Sequence, residues 1–124
     1  MKKFVVENGL TEYIHFLGTK KNPLPYLKQM DSFLLPSRYE GKPMAITEAL
    51  MLGKPCIVCE YASAREQIIH GKTGLIAKND DSDIKSVLNS VLQDSTILKR
   101  LSQNVIDEDF SNEEEIKKIE CLFE

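Results

Sequence analysis

The sequence predicts a doubly wound α/β domain: a parallel sheet of about four strands, helices on both of its faces, and a helical C-terminal third. Three observations predict it. Ser32-Phe33-Leu34-Leu35, Cys56-Ile57-Val58-Cys59 and Gly74-Leu75-Ile76-Ala77 are short, unbroken apolar runs, the pattern of strands buried on both faces of a parallel sheet. Helical stretches separate these runs, and each stops at a glycine, Gly53 or Gly71. Alternation of this kind implies right-handed crossovers, which place helices over both faces.

The elements follow in order. Phe4 and Val5, followed by Asn8-Gly9, resemble the end of a helix whose beginning lies upstream. Tyr13-Ile14-His15-Phe16-Leu17, an aromatic and aliphatic run closed by Gly18, is predicted as a strand. A short helix over Pro23 to Met30 carries its prolines in the first turn, where a missing N–H does no harm. After the strand at 32–35, a helix is expected over Met44 to Leu52 and another over about Ser63 to Ile69. Ala45 and Ala49, four apart, let the first of these lie close to the sheet. The last third predicts helices at Asp81 to Gln93, Ser95 to Ile106 and Glu113 to Phe123, the third with a capping-box spacing of Ser111 and Glu114.

With 124 residues, 42% of them hydrophobic and 28% charged, the chain has material for one core, so residues 1–124 are expected to form a single, partial domain. A net charge of −3, with Lys and Arg spread along the chain, provides no electrostatic footprint for nucleic acid. Glu48 interrupts the best apolar stretch, Ala45 to Leu52, and Met1-Lys2-Lys3 leads into no signal-like run, so a cytoplasmic protein with at most a peripheral membrane association is expected. Three cysteines cannot all pair within one molecule, which favours reduced thiols.

Ligands of open α/β sheets bind beyond the carboxyl ends of the strands. There the sequence places Pro36-Ser37-Arg38-Tyr39-Glu40-Gly41-Lys42-Pro43, running into the helix that begins near Met44. Gly41 permits close backbone approach, and Pro43 at the helix head leaves the N–H groups of Met44, Ala45 and Ile46 without intrahelical partners. Such a tip suits a phosphate. Glu40 in the loop and Glu48 one turn into the helix can face one pocket at different depths, each accepting hydrogen bonds from hydroxyls. Carboxylates beside an anion site repel it, so their presence points to neutral hydroxyls next to the charge, the makeup of a nucleotide sugar. Spacing alone also admits two surface carboxylates flanking an ordinary turn.

The stretch from Ser37 to Pro43, with Glu48-Ala49-Leu50 and Gly53-Lys54-Pro55, resembles the signature of the GT-B retaining glycosyltransferases of family GT4, in which two glutamates are separated by seven residues, as Glu40 and Glu48 are. The resemblance extends to Phe16-Leu17-Gly18, Asn22-Pro23 through Tyr26-Leu27, Gly71-Lys72-Thr73-Gly74-Leu75-Ile76 and Phe110-Ser111, and so covers nearly the whole chain. It implies a truncated C-terminal, donor-binding domain for a UDP- or GDP-type sugar, working without a protein-bound metal or other cofactor and with retention of anomeric configuration. Glu40 would contact the donor sugar and stabilise charge during transfer, a catalytic role, while Glu48 would accept from the ribose hydroxyls. Ser37 and the stretch Gly41, Lys42, Pro43, Met44 and Ala45 would meet sugar and diphosphate, with Lys42 at a variable position. Gly18 and Thr19 would lie beside the base.

The chain departs from the family pattern in three respects. No segment matches the basic pair that holds the diphosphate, the acceptor-binding N-terminal domain is not represented, and Ala62-Ser63-Ala64-Arg65-Glu66 lacks the glycine common before that helix. The resemblance therefore implies an inactive fragment of a hexose-type transferase acting in surface polysaccharide or glycan synthesis, with the N-terminal domain as its missing partner.

Other signals carry less. Cys56 and Cys59 form a C-x-x-C, but on a strand they point to opposite faces, so core packing is expected rather than a redox pair or metal clamp. His15 and His70 have no companions at metal-ligand spacing. Two readings of other classes compete. A phospho-receiver module needs an Asp at a strand end, and Leu35-Pro36-Ser37 and Cys59-Glu60 offer none. A non-catalytic nucleotide-binding or protein-interaction module on the same fold stays open.

Overall fold

The computed structural model describes residues 2–36 and 44–108. Within them three strands, β1 (Phe33–Leu35), β2 (Cys56–Cys59) and β3 (Gly74–Ala77), form one parallel sheet in the order β1-β2-β3. Phe33 pairs in register with Cys56, and Cys56 with Gly74. The helices are α1 (Lys2–Glu7), α2 (Leu24–Lys28), α3 (Met44–Met51), α4 (Ala64–Gln67), α5 (Asp81–Gln93) and α6 (Ser95–Asp107), and they lie on both sides of the sheet.

Every residue of β2 is buried, as a central strand covered on both faces must be. Its Cys56 and Val58 join Ile46, Ala49 and Leu50 of α3 and Ile68 in the main core. Ile57 and Cys59, which leave the opposite face, are buried as well. The thiol of Cys56 lies against the carbonyls of Ile46 and Lys54, and burial pushes it up to about 12. At pH 8 roughly one such thiol in ten thousand is ionised, so iodoacetamide is expected to leave Cys56 unmodified in the native chain and to label it after urea unfolding, as peptide mapping would read.

Local chemistry sets the helix limits. At α2, the Asn22 side chain accepts from the Leu24 N–H (3.1 Å), and prolines occupy the first turn. Asp80 caps α5 by accepting from the Asp83 N–H, and Asp94 caps α6 by accepting from Thr96. Gly53 ends α3 at φ 77°, a conformation open to glycine at little cost.

Three expectations are corrected: β1 is not buried on both faces, because it lies at the edge of the described sheet with Leu34 44% exposed; the helix expected over about Ser63 to Ile69 ends at Gln67, with Ile68 already extended; and the run at 13–17 forms no strand. Tyr13 to Leu17 is not a strand: a turn at residues 11–13 runs into extended chain without a sheet partner among the described residues. Tyr13, Ile14, Phe16 and Leu17 are all exposed, Tyr13 by 77%. Composition alone suited a strand, but a strand exists only where a neighbouring ladder satisfies its backbone, and none among the described residues lies beside this run. The described sheet accordingly has three strands rather than about four. The predicted helix at 113–123 and its Ser111–Glu114 cap lie outside the described residues.

Candidate functional site

The helix α3 positions the one predicted acidic site residue within the described chain, Glu48. Ile46, Ala49 and Leu50 bury one face of α3 against the sheet, while Ala45 and Glu48, three apart, share another. That second face lines a groove of about 270 Å³. Its opposite wall is Leu17 and Gly18 followed by Lys20, and its apolar floor is built from Leu27 and Met30 with Phe33 of β1. Gly18, at φ 70°, turns the chain there and leaves open space where a side chain would stand.

Glu48 is half-buried, and burial raises its carboxyl above the ordinary 4.5. No described residue donates a hydrogen bond to that carboxylate. Among the described residues it is an acceptor at the edge of an apolar groove with no donor on its lone pairs. Its neighbour on the helix, Thr47, receives a bond from Gln67 of α4 (3.4 Å), and Gln67 in turn accepts from the hydroxyl of buried Tyr61 (2.7 Å). This Tyr61–Gln67–Thr47 chain ties α3 to the segment that follows β2. Sequence reasoning missed it, because nothing in the spacing of a Tyr, a Gln and a Thr marks them as partners.

Of the predicted site residues, the structure brings Gly18, Ala45 and Glu48 to one groove. Thr19 follows Gly18 on the exposed chain, and Met44 opens α3 with 61% of its surface exposed; neither lines the groove. Ser37, Glu40, Gly41, Lys42 and Pro43 lie outside the described residues. In the segment after β2, Glu60 holds Arg65 at 2.9 Å, so that cation is already neutralised.

A larger cleft of about 500 Å³ lies along α5 and α6 and includes Asp31 and Lys54. Those two residues precede β1 and β2, which puts the cleft at the amino ends of the strands, the wrong end of an open α/β sheet for a ligand. The smaller groove shares Met30 with that cleft and touches Phe33 at the start of β1, but it also holds Ala45 and Glu48 of the helix that follows β1, and on that ground it is the candidate site.

Residues 1–108 match the family model described as glycosyl transferases group 1. The chain belongs to this family. It is a C-terminal domain of the GT-B type, and its parallel sheet agrees with that assignment. Among curated relatives of this glycosyltransferase domain is the N,N'-diacetylbacillosaminyl-diphospho-undecaprenol alpha-1,3-N-acetylgalactosaminyltransferase of Campylobacter jejuni, 29% identical over 83% of this chain and 28% of the relative. The UDP-Gal:alpha-D-GlcNAc-diphosphoundecaprenol alpha-1,3-galactosyltransferase of Escherichia coli is 31% identical over 82% of this chain and 26% of its own length. The lipopolysaccharide core biosynthesis mannosyltransferase LpsB of Rhizobium meliloti is 27% identical over all of this chain and 37% of its own length. This glycosyltransferase domain thus spans between about a quarter and two fifths of these relatives. No helix among its described residues is long and apolar enough to cross a membrane.

Proposed function

We propose that this domain is the donor-binding half of a retaining glycosyltransferase and holds a nucleotide-diphosphate sugar, with a hexose as the transferred group. The observation that carries this reading is Glu48: a half-buried carboxylate with raised proton affinity, unbonded among the described residues, on the rim of a groove whose other wall is the Gly18 turn. Its carboxylate stays in contact with water while burial favours its protonated form, and a ribose diol would donate to it in place of that water. Ala45 and the start of α3 then face the diphosphate, where the first-turn N–H groups of any helix lack intrahelical acceptors. In this reading Glu40, with Ser37, Gly41, Lys42 and Pro43, meets the sugar, and Glu40 stabilises the charge that develops at the reacting carbon. Transfer needs no metal held by the protein.

The names of the relatives support an acceptor carried on an undecaprenyl diphosphate or a lipopolysaccharide core; in this reading the enzyme works in the cytoplasm and touches a membrane only peripherally. The acceptor is then held by an N-terminal domain, without which residues 1–124 turn over no substrate. The test is an amide NMR titration of the 124-residue chain with UDP and GDP. Localised shifts at Gly18, Ala45 and Glu48, saturating in the millimolar range, are expected. Their absence at millimolar nucleotide would favour a protein-interaction module that retains the fold alone.

A further inference from the structure

We infer that Thr47, held by Gln67 and behind it by Tyr61, is a positioning residue for Glu48: this chain of two hydrogen bonds fixes the roll of α3 about its axis, and so the depth at which the Glu48 side chain enters the groove. Its consequence for a ligand rests on the nucleotide-site reading above. Each residue of α3 advances by about 100°, which puts Ile46, Ala49 and Leu50 on the stripe buried against the sheet. Thr47 and Glu48 then fall on the two flanks of that stripe, with exposed Met44 between them on the outer side. A roll that sinks one flank lifts the other. Apolar burial along the stripe is non-directional and tolerates small rolls, whereas a hydrogen bond on one flank prefers one angle and resists them.

The anchor for that bond is itself fixed. Tyr61 belongs to the main core, and its hydroxyl donates to Gln67 Oε1 (2.7 Å). With Oε1 committed, the amide turns Nε2 toward Thr47 Oγ1 (3.4 Å). Gln67 is the last residue of α4, and buried Ile68 follows it directly, so the donor stands on a packed part of the chain. A bond as long as 3.4 Å adds little to stability. Its effect lies in orientation. Lys20, whose ammonium stands over the Tyr26 ring 5.4 Å from its centroid, is with Tyr26 the other titratable part of the groove lining, and both stay the same in every variant below.

The experiment follows the Glu48 side-chain carboxyl carbon by NMR as pH rises, and UDP binding by amide shifts, on the 124-residue chain and on Thr47→Val, Thr47→Ser and Gln67→Leu. In Thr47→Val the flank sinks toward the buried stripe and Glu48 turns out toward water. Its titration midpoint is then expected to fall toward 4.5, and UDP to bind about three- to tenfold more weakly. Gln67→Leu frees the same flank and is expected to give the same two changes. Thr47→Ser keeps the hydroxyl and should keep the native midpoint and affinity. An unmoved Glu48 midpoint in Thr47→Val and Gln67→Leu, whatever happens to their melting temperatures, overturns the inference, because a tie that serves only stability leaves the carboxylate where it was. A Thr47→Ser midpoint displaced as far as that of Thr47→Val overturns it too, by assigning the effect to the threonine methyl. If UDP moves none of Gly18, Ala45 or Glu48 in the native chain, the nucleotide-site reading fails, while the Glu48 midpoints still decide whether Thr47 positions the carboxylate.

Discussion

Glu48→Gln is expected to weaken nucleotide-diphosphate binding by about ten- to a hundredfold, the range for losing hydrogen bonds to a charged acceptor, and at the same time to raise the stability of the fold at neutral pH. The two effects have one cause. Burial raises the carboxyl above 4.5, so the folded chain binds this proton more tightly than the unfolded chain. A raised folded value leaves stability at its fullest below the unfolded value and erodes it as pH rises through the folded one; above that, the fold carries an ionised, half-buried group with no donor among the described residues. Glutamine keeps the shape and removes the charge. Urea unfolding of the two proteins at pH 4 and pH 7 should show the variant's advantage mainly at pH 7. A variant less stable than the native chain at pH 7 would mean that the Glu48 carboxylate is satisfied in the free fold, and the argument for a ligand there would lose its footing.

Gly74→Ala is expected to cost about 3 kcal/mol or more, enough to lower the thermal midpoint by 10 °C or more in a domain of this size. Gly74 opens β3 opposite Cys56 in the ladder. A β-carbon there would run into the carbonyl oxygen of Cys56 and come within 2.9 Å of the Ile68 side chain. Cys56 lies in the fully buried central strand and Ile68 is 1% exposed, so neither neighbour can withdraw into solvent. Relief requires moving β3 away from β2, which breaks the parallel pairing. Circular dichroism melts of the two proteins check this; a loss below 1 kcal/mol would show that β3 can shift without disrupting the ladder.

Much of the fold was legible because the sheet is parallel. Strands buried on both faces read as unbroken apolar runs, and Cys56 to Cys59 shows that signature with all four residues buried. The stop at Gly53 was legible because that residue holds left-handed backbone, whereas Gly71, also left-handed, turns the chain before β3 rather than ending α4, which stops at Gln67 with Ile68 already extended. The run at 13–17 misled for a physical reason: residue type reports what a pleated surface accepts, whereas the ladder that makes a strand depends on chain far away in sequence. At the site, the shared face of Ala45 and Glu48 follows from helical spacing, and the approach of Gly18 followed from the family resemblance. Lys20 and Tyr26 were not legible, since their pairing depends on how the loop after Gly18 folds back over α2. An aromatic residue two places before Lys28, in a helix otherwise capped by prolines, was the only available hint.

The hydroxyl of Ser102 on α6 donates to the carbonyl of Gly53 (3.1 Å), and Ile106 of the same helix packs where a Gly53 side chain would sit. The far end of the Glu48 helix is therefore clasped by a residue 49 positions later in the chain. If the groove beside Glu48 holds a nucleotide as proposed, substitutions at Ser102 or Ile106, which line no part of it, are expected to change its affinity through the end of α3, and a survey of variants confined to the glutamate motif would overlook them.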